Sequence, residues 1–111
     1  MKRLSVDDIK TLPDVPEKEL EIPEWKVSIL IKGMTKSMQI ELGKLLDDGL
    51  DAFEYQKKLL MTCVVEPKLT EKDIDELYQK DSSIVDNIFV AINEINGLGG
   101  SASADEFPEQ S

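Results

Sequence analysis

The sequence predicts an α+β domain: a small β-sheet, with its strand region at about residues 19–32, packed with three or four α-helices in a mostly helical chain. Two patterns predict it. From Trp25 to Ile31 the apolar residues Trp25, Val27, Ile29 and Ile31 fall on one parity, the period of a half-buried strand. From Thr35 onward, apolar residues recur at three- and four-residue spacing behind residues that cap helices. Length sets the scale: 111 residues hold one core and leave no room for a catalytic domain beside a substrate domain.

The elements follow in chain order. Ser5-Val6-Asp7-Asp8 has the Ser-x-x-Asp spacing that caps a helical turn, and Pro13 and Pro16 end that turn soon afterwards, which makes a short N-terminal arm. Leu20 and Ile22 then lie on the opposite parity from Trp25 across Pro23-Glu24. The chain must therefore turn, bulge or change partner there, which predicts a short strand, a break at Pro23 and a longer strand. After Gly33, Thr35 caps a helix whose Met38, Leu42, Leu45 and Leu46 share one face, closed by Asp47-Asp48-Gly49. A second helix is expected from about Asp51 to Val65, stopped by Pro67. Thr70-Glu71-Lys72-Asp73 is a capping-box pattern opening a short helix that buries Ile74 and Leu77. Asp81-Ser82-Ser83 opens the last helix, which reaches Asn96-Gly97. Its Ile84, Val85, Ile88, Phe89, Ala91, Ile92 and Ile95 exceed the usual apolar stripe, so burial on two sides is expected, inside one core or against another subunit. Residues 1–98 thus read as a single domain, and the Gly/Ser/Ala-rich acidic segment 99–111 as a disordered tail.

Charge and composition narrow the function. With 23 acids against 13 bases the formal net charge is −10, spread as −1 over residues 1–34, −6 over 35–98 and −3 over 99–111. No segment is a basic patch, so nucleic acid is not an expected partner. No run of about 18 apolar residues exists, and the start, Met-Lys-Arg-Leu-Ser-Val-Asp-Asp, turns acidic within eight residues, so neither membrane insertion nor a signal peptide is expected. The chain has no histidine and one cysteine, which fits a reducing cytoplasm and excludes a disulfide within the chain and a histidine-containing zinc site.

Chemistry finds no constellation. Cys63 lies among Leu59, Leu60, Met61, Val64 and Val65 and reads as a buried structural thiol, since no histidine is present to take its proton. Asp47-Asp48-Gly49-Leu50-Asp51 lacks the ligand order of a calcium loop, and helix capping accounts for its acids. Gly97-Leu98-Gly99-Gly100-Ser101 follows a helix and has no Lys-Ser/Thr pair, which removes a phosphate loop. No enzyme, cofactor or metal is expected. A long alternating strand with at most one short neighbour needs its edge paired or protected, so self-association through the sheet edge or the last helix is expected.

The order of segments resembles a known family. The acidic arm Leu4-Ser5-Val6-Asp7-Asp8-Ile9 leads to the proline-flanked strand Glu21-Ile22-Pro23-Glu24-Trp25-Lys26-Val27-Ser28-Ile29-Leu30-Ile31-Lys32. The second half runs Cys63-Val64-Val65-Glu66-Pro67-Lys68-Leu69-Thr70-Glu71-Lys72-Asp73-Ile74-Asp75-Glu76-Leu77 into a helix ending Glu94-Ile95-Asn96-Gly97-Leu98. Together these resemble the tail assembly chaperones of long-tailed bacteriophages and prophages, over roughly residues 4–98. The resemblance implies a non-enzymatic protein of the bacterial host cytoplasm, absent from the mature virion. Such a protein binds the tape measure protein, keeps it soluble and promotes polymerisation of tail tube protein around it. Many members of the family also have a longer, frameshifted form. Recognition of a helical partner is expected to use Met38, Leu42, Ile88 and Ile92. The alternative functional class is a small head-tail connector or an acidic inhibitor or adaptor protein.

Overall fold

An antiparallel hairpin organises the chain: β1 (Glu17–Ile22) pairs with β2 (Val27–Lys32), from Glu17 opposite Lys32 to Ile22 opposite Val27, in a computed structural model that describes residues 1–97. The expected tail at 99–111 lies outside the described residues. Pro23 opens the connection, a 3-10 turn at Pro23–Trp25 closed by Lys26 in the left-handed region, φ 57°. The break expected at Pro23 is therefore a hairpin loop. Trp25, assigned from sequence to the strand, belongs to that loop, and this change of direction is why its parity disagrees with Leu20 and Ile22.

The sheet has a third strand that periodicity did not predict. Helix α2 (Ala52–Cys63) stops short of Val65, and Val64–Glu66 forms β3, antiparallel to β2, giving the order β1-β2-β3. Two β-branched residues stand before Glu66, whose backbone the following proline steers away from helix, and the open edge of β2 supplies partners for their backbone groups. The Glu66–Pro67 peptide bond is cis. Val64 opposes Ile31 and Glu66 opposes Leu30, so Val65 is the extra residue of a bulge.

Among the described residues four α-helices complete the α+β fold: α1 (Lys36–Asp47), α2, α3 (Glu71–Leu77) and α4 (Ser82–Ile95). The starts of α1, α3 and α4 follow the caps read from sequence, and Asp51, read as the first residue of the second helix, is the cap of α2. Thr35 Oγ1 accepts from Met38 N–H at 3.2 Å, Asp51 Oδ1 from Glu54 N–H at 2.8 Å, and Asp81 Oδ1 from Ser83 N–H at 2.9 Å. At α3 the box is reciprocal: Thr70 Oγ1 accepts from Asp73 N–H, and Asp73 Oδ2 from Thr70 N–H at 2.9 Å.

Parity sorts the sheet into two faces. Leu20, Ile22, Ile29 and Ile31 share the inner face with Val64, and α4 packs across β1 and β2 there. Glu17, Glu19, Glu21, Ser28 and Glu66 occupy the outer face, all exposed, with Lys32 and Leu30 half-buried among them. One hydrophobic cluster joins the inner face to the helices, with Ile31, Leu60, Ile74, Ile92 and Cys63 fully enclosed. Of the apolar residues of α4, Ile84, Ile88, Ala91 and Ile92 go into this core, Val85 is buried beside Tyr78 and Phe89, and Val90 is left exposed. Helix α1 is the opposite case. It buries only Leu42, packs chiefly on α2, and leaves Leu46, expected on its apolar face, exposed. Among the described residues no helix is long and apolar enough to cross a membrane.

Candidate functional site: two apolar concavities

The first concavity is a groove of about 320 Å³ between α1 and α2. Met38, Leu42 and Leu45 stand one or two helical turns apart on α1, and Met61 faces them from α2. Glu41, Lys58 and Thr62 provide its polar rim. An apolar floor with a charged rim is the usual layout of a docking surface, and unbranched methionines let such a floor fit partners of varied shape.

The second is a cleft of about 190 Å³ under the hairpin loop, walled without polar surface. Trp25 and Val27 form its mouth on the sheet side, with Ile22 and Ile29 behind them. Across from these stand Pro67 and Leu69 of the loop after β3 and Leu77 of α3, and Leu60 and Ile88 close the floor. Its size decides what fits. It exceeds the roughly 150 Å³ that admits a benzene ring and falls below the roughly 300 Å³ of small-molecule pockets. One or two apolar side chains fill it. Trp25 is half-buried and packs on the core while walling this cleft, so it serves as anchor and surface together.

The four residues expected to contact a partner separate. Met38 and Leu42 meet in the groove, Met38 half-buried and Leu42 buried at its floor; Ile88 lies buried beneath the cleft; Ile92 is wholly inside the core and borders neither. Leu42, Ile88 and Ile92 are thus core residues rather than exposed contacts. Their apolar stripe gave no sign of which helix faced the sheet. Leu45 and Met61 complete the groove and were not among the expected contacts, because a groove between two helices is a tertiary property.

Two polar clasps hold these walls in place. Lys57 has a side chain only 9% exposed, yet its ammonium meets Asp75 at 2.9 Å and Glu54 at 3.7 Å and lies 4.4 Å from the centre of the Phe53 ring. This ties α3 to α2, and the hydrogen bond to Asp75 raises the Lys57 pKa above its ordinary value against the effect of burial. Nearby, Tyr78 Oη donates to Gln56 Oε1, and its ring packs on Phe53 with centroids 5.1 Å apart. The second clasp is Asn96, whose Oδ1 accepts from Met34 N–H at 2.6 Å while its Nδ2 donates to the Ile92 carbonyl at 2.8 Å. It joins the end of β2 to the end of α4, across 62 residues of sequence. Gly33 is buried at the same junction, where a Cβ would lie 3.4 Å from both Asn96 Oδ1 and Pro16 Cδ.

Cys63 is fully buried, and burial pushes its thiol pKa up, the reverse of what a nucleophile needs. No group of three or more Cys, Asp or Glu residues among the described residues is arranged to hold a metal ion. Compared with known proteins, the chain matches no family model, no curated protein and no solved structure.

Proposed function

We propose that this chain is a non-enzymatic tail assembly chaperone of a long-tailed phage or prophage, working in the cytoplasm of the bacterial host. In this reading it holds the tape measure protein soluble while tail tube protein polymerises around it, and it is left out of the finished virion. The observation that carries the reading is the groove between α1 and α2, whose floor of Met38, Leu42, Leu45 and Met61 suits the apolar stripe of a partner helix. The net charge of −10 supports it, because a strongly acidic holder keeps a complex with an apolar partner from aggregating. The resemblance of the segment order to that of the chaperone family suggests the partner.

Co-expression tests it. The tape measure protein should be soluble with this chain and insoluble without it, and Met38→Glu should raise the Kd about tenfold, the equivalent of about 1.4 kcal/mol of lost binding, and so lower the soluble fraction. Met38 is half-buried on a helix that packs chiefly on α2 and buries only Leu42, so the thermal midpoint of the variant should stay near that of the parent. Equal insolubility with and without the chain, and with any longer form, would end the proposal in favour of a head-tail connector, which stays in the particle.

A further inference from the structure

Strand β2 is paired in full along one backbone edge only. β1 covers that edge from Val27 to Lys32, whereas β3 meets the other edge only at Leu30 and Ile31. A strand turns its N–H and C=O groups alternately to its two neighbours. From Val27 to Ile29, those facing away from β1 therefore have no strand partner among the described residues. Pairing stops after Glu66 because Pro67 has no N–H to give, and Pro67 and Leu69 stand across the cleft under the hairpin loop from Val27 and Ile29. Val27 is 51% exposed there. An open stretch of backbone thus runs along the wall of an apolar cleft, the two features by which a sheet takes up an extended peptide.

We infer that this edge binds an extended segment of another protein in which a basic residue stands between two aliphatic ones, added beside β2 where β3 ends. Parity fixes the pattern. Residues opposite Val27 and Ile29 point to the inner face, into a cleft of about 190 Å³ with no polar wall, which holds two small aliphatic side chains. The residue between them, opposite Ser28, points to the outer face. There Glu19 reaches across to accept from Ser28 Oγ at 2.6 Å, and Glu66 precedes the added segment along the line of β3. The other charges of that face offset one another: Lys32 is opposite Glu17, and Lys26 shares a hollow with Glu21. Lys68 is exposed on the loop beyond Pro67, outside the sheet. Glu19 and Glu66 are left, and a Lys or Arg side chain answers them. The same charges exclude this chain as its own occupant. Edge strand β1 of a second copy offers Leu20-Glu21-Ile22, which fits the cleft but sets a carboxylate against Glu19 and Glu66. Segment 98–111 carries Asp105, Glu106 and Glu109 and no base, and no base anywhere in the chain stands between two Val, Ile, Leu or Met residues. A helix would leave the backbone edge unpaired. The site is separate from the groove between α1 and α2 on which the chaperone proposal rests.

The probe is a short capped peptide alternating valine with lysine, and the reporter is Trp25, the chain's single tryptophan, which walls the cleft. With the full chain, Trp25 emission should shift and saturate below about 1 mM peptide, and amide exchange within Val27–Ile29 should slow about tenfold. The same peptide N-methylated at every backbone nitrogen keeps its side chains and should have no effect. A peptide alternating valine with glutamate should bind about fivefold more weakly. Val27→Glu, at an exposed position, should abolish the response with an unchanged thermal midpoint, and Glu66→Lys should reduce the preference for lysine over glutamate about fivefold. No saturable response, an equal response to the N-methylated peptide, or equal binding of the glutamate peptide would each overturn the inference. So would Trp25 emission that changes, without peptide, on deletion of residues 98–111, which would make the C-terminal segment the occupant. Emission that changes with protein concentration alone, and not in Val27→Glu, would overturn it in favour of a second copy.

Discussion

Single residues at junctions bear more of this structure than their type announces. Asn96 reads in sequence as a helix terminator, and it does end α4, but its side-chain oxygen also satisfies the Met34 N–H. Asn96→Leu should therefore cost about 2 kcal/mol in denaturant unfolding, the penalty of leaving a partly buried donor without its partner. Lys26 poses the reverse problem, with a side chain in open solvent and a backbone at φ 57°. Lys26→Gly should raise stability by about 1 kcal/mol, because only glycine takes the left-handed region without cost, and Lys26→Val should lower it. Three carboxylates have a measurable pH signature. The Ser5 N–H holds the Asp8 pKa below its ordinary value, the Thr70 N–H does so for Asp73, and the Ser83 hydroxyl and N–H for Asp81. Each favours the charged form in the folded state, so its contribution is present above the unfolded value of about 4 and is lost as pH falls through the lower folded value. Asp73→Asn should shrink the loss of stability between about pH 5 and pH 2, read as a flatter acid limb in unfolding titrations.

Elements were legible in the sequence wherever one local signal decided them. The caps at Thr35, Thr70 and Asp81 set three helix starts, and Pro23 marked the hairpin loop. What escaped depended on partners distant in sequence. β3 was hidden because three residues have no period, and only the open edge of β2 makes Val64–Glu66 a strand. The candidate site was half legible: Met38 and Leu42 share an amphipathic face, yet that face alone could not show that α2 would supply Met61 or that α4 would turn Ile88 and Ile92 into the core. Packing also ranks the helices. Because α1 buries Leu42 alone and leans on α2, its amides should exchange with solvent at a lower opening free energy than those of α4, which lies across the sheet. Native-state hydrogen exchange that protects both helices equally would contradict this ranking.

Across the described residues, apolar side chains go to one core, to two concavities, to an arm with no buried residue, and to single exposed helix positions such as Leu46 and Val90. The radius of gyration, 16.1 Å, exceeds the roughly 13 Å of a compact chain of about 100 residues. Acidity covers the remainder, and the outer sheet face, with Glu17, Glu19, Glu21 and Glu66, resists stacking on another sheet. The enclosed thiol has a consequence at this same scale. Cys63 is sealed at the end of α2, in contact with the core and with its ionisation suppressed by burial. An alkylating reagent reaches it only when the core itself opens, so the rate of modification is a clock for global unfolding. The native fold is otherwise silent to thiol chemistry, and a cysteine introduced on the arm or at the cleft mouth would take a dye alone, leaving Cys63 to time the opening of the molecule that carries it.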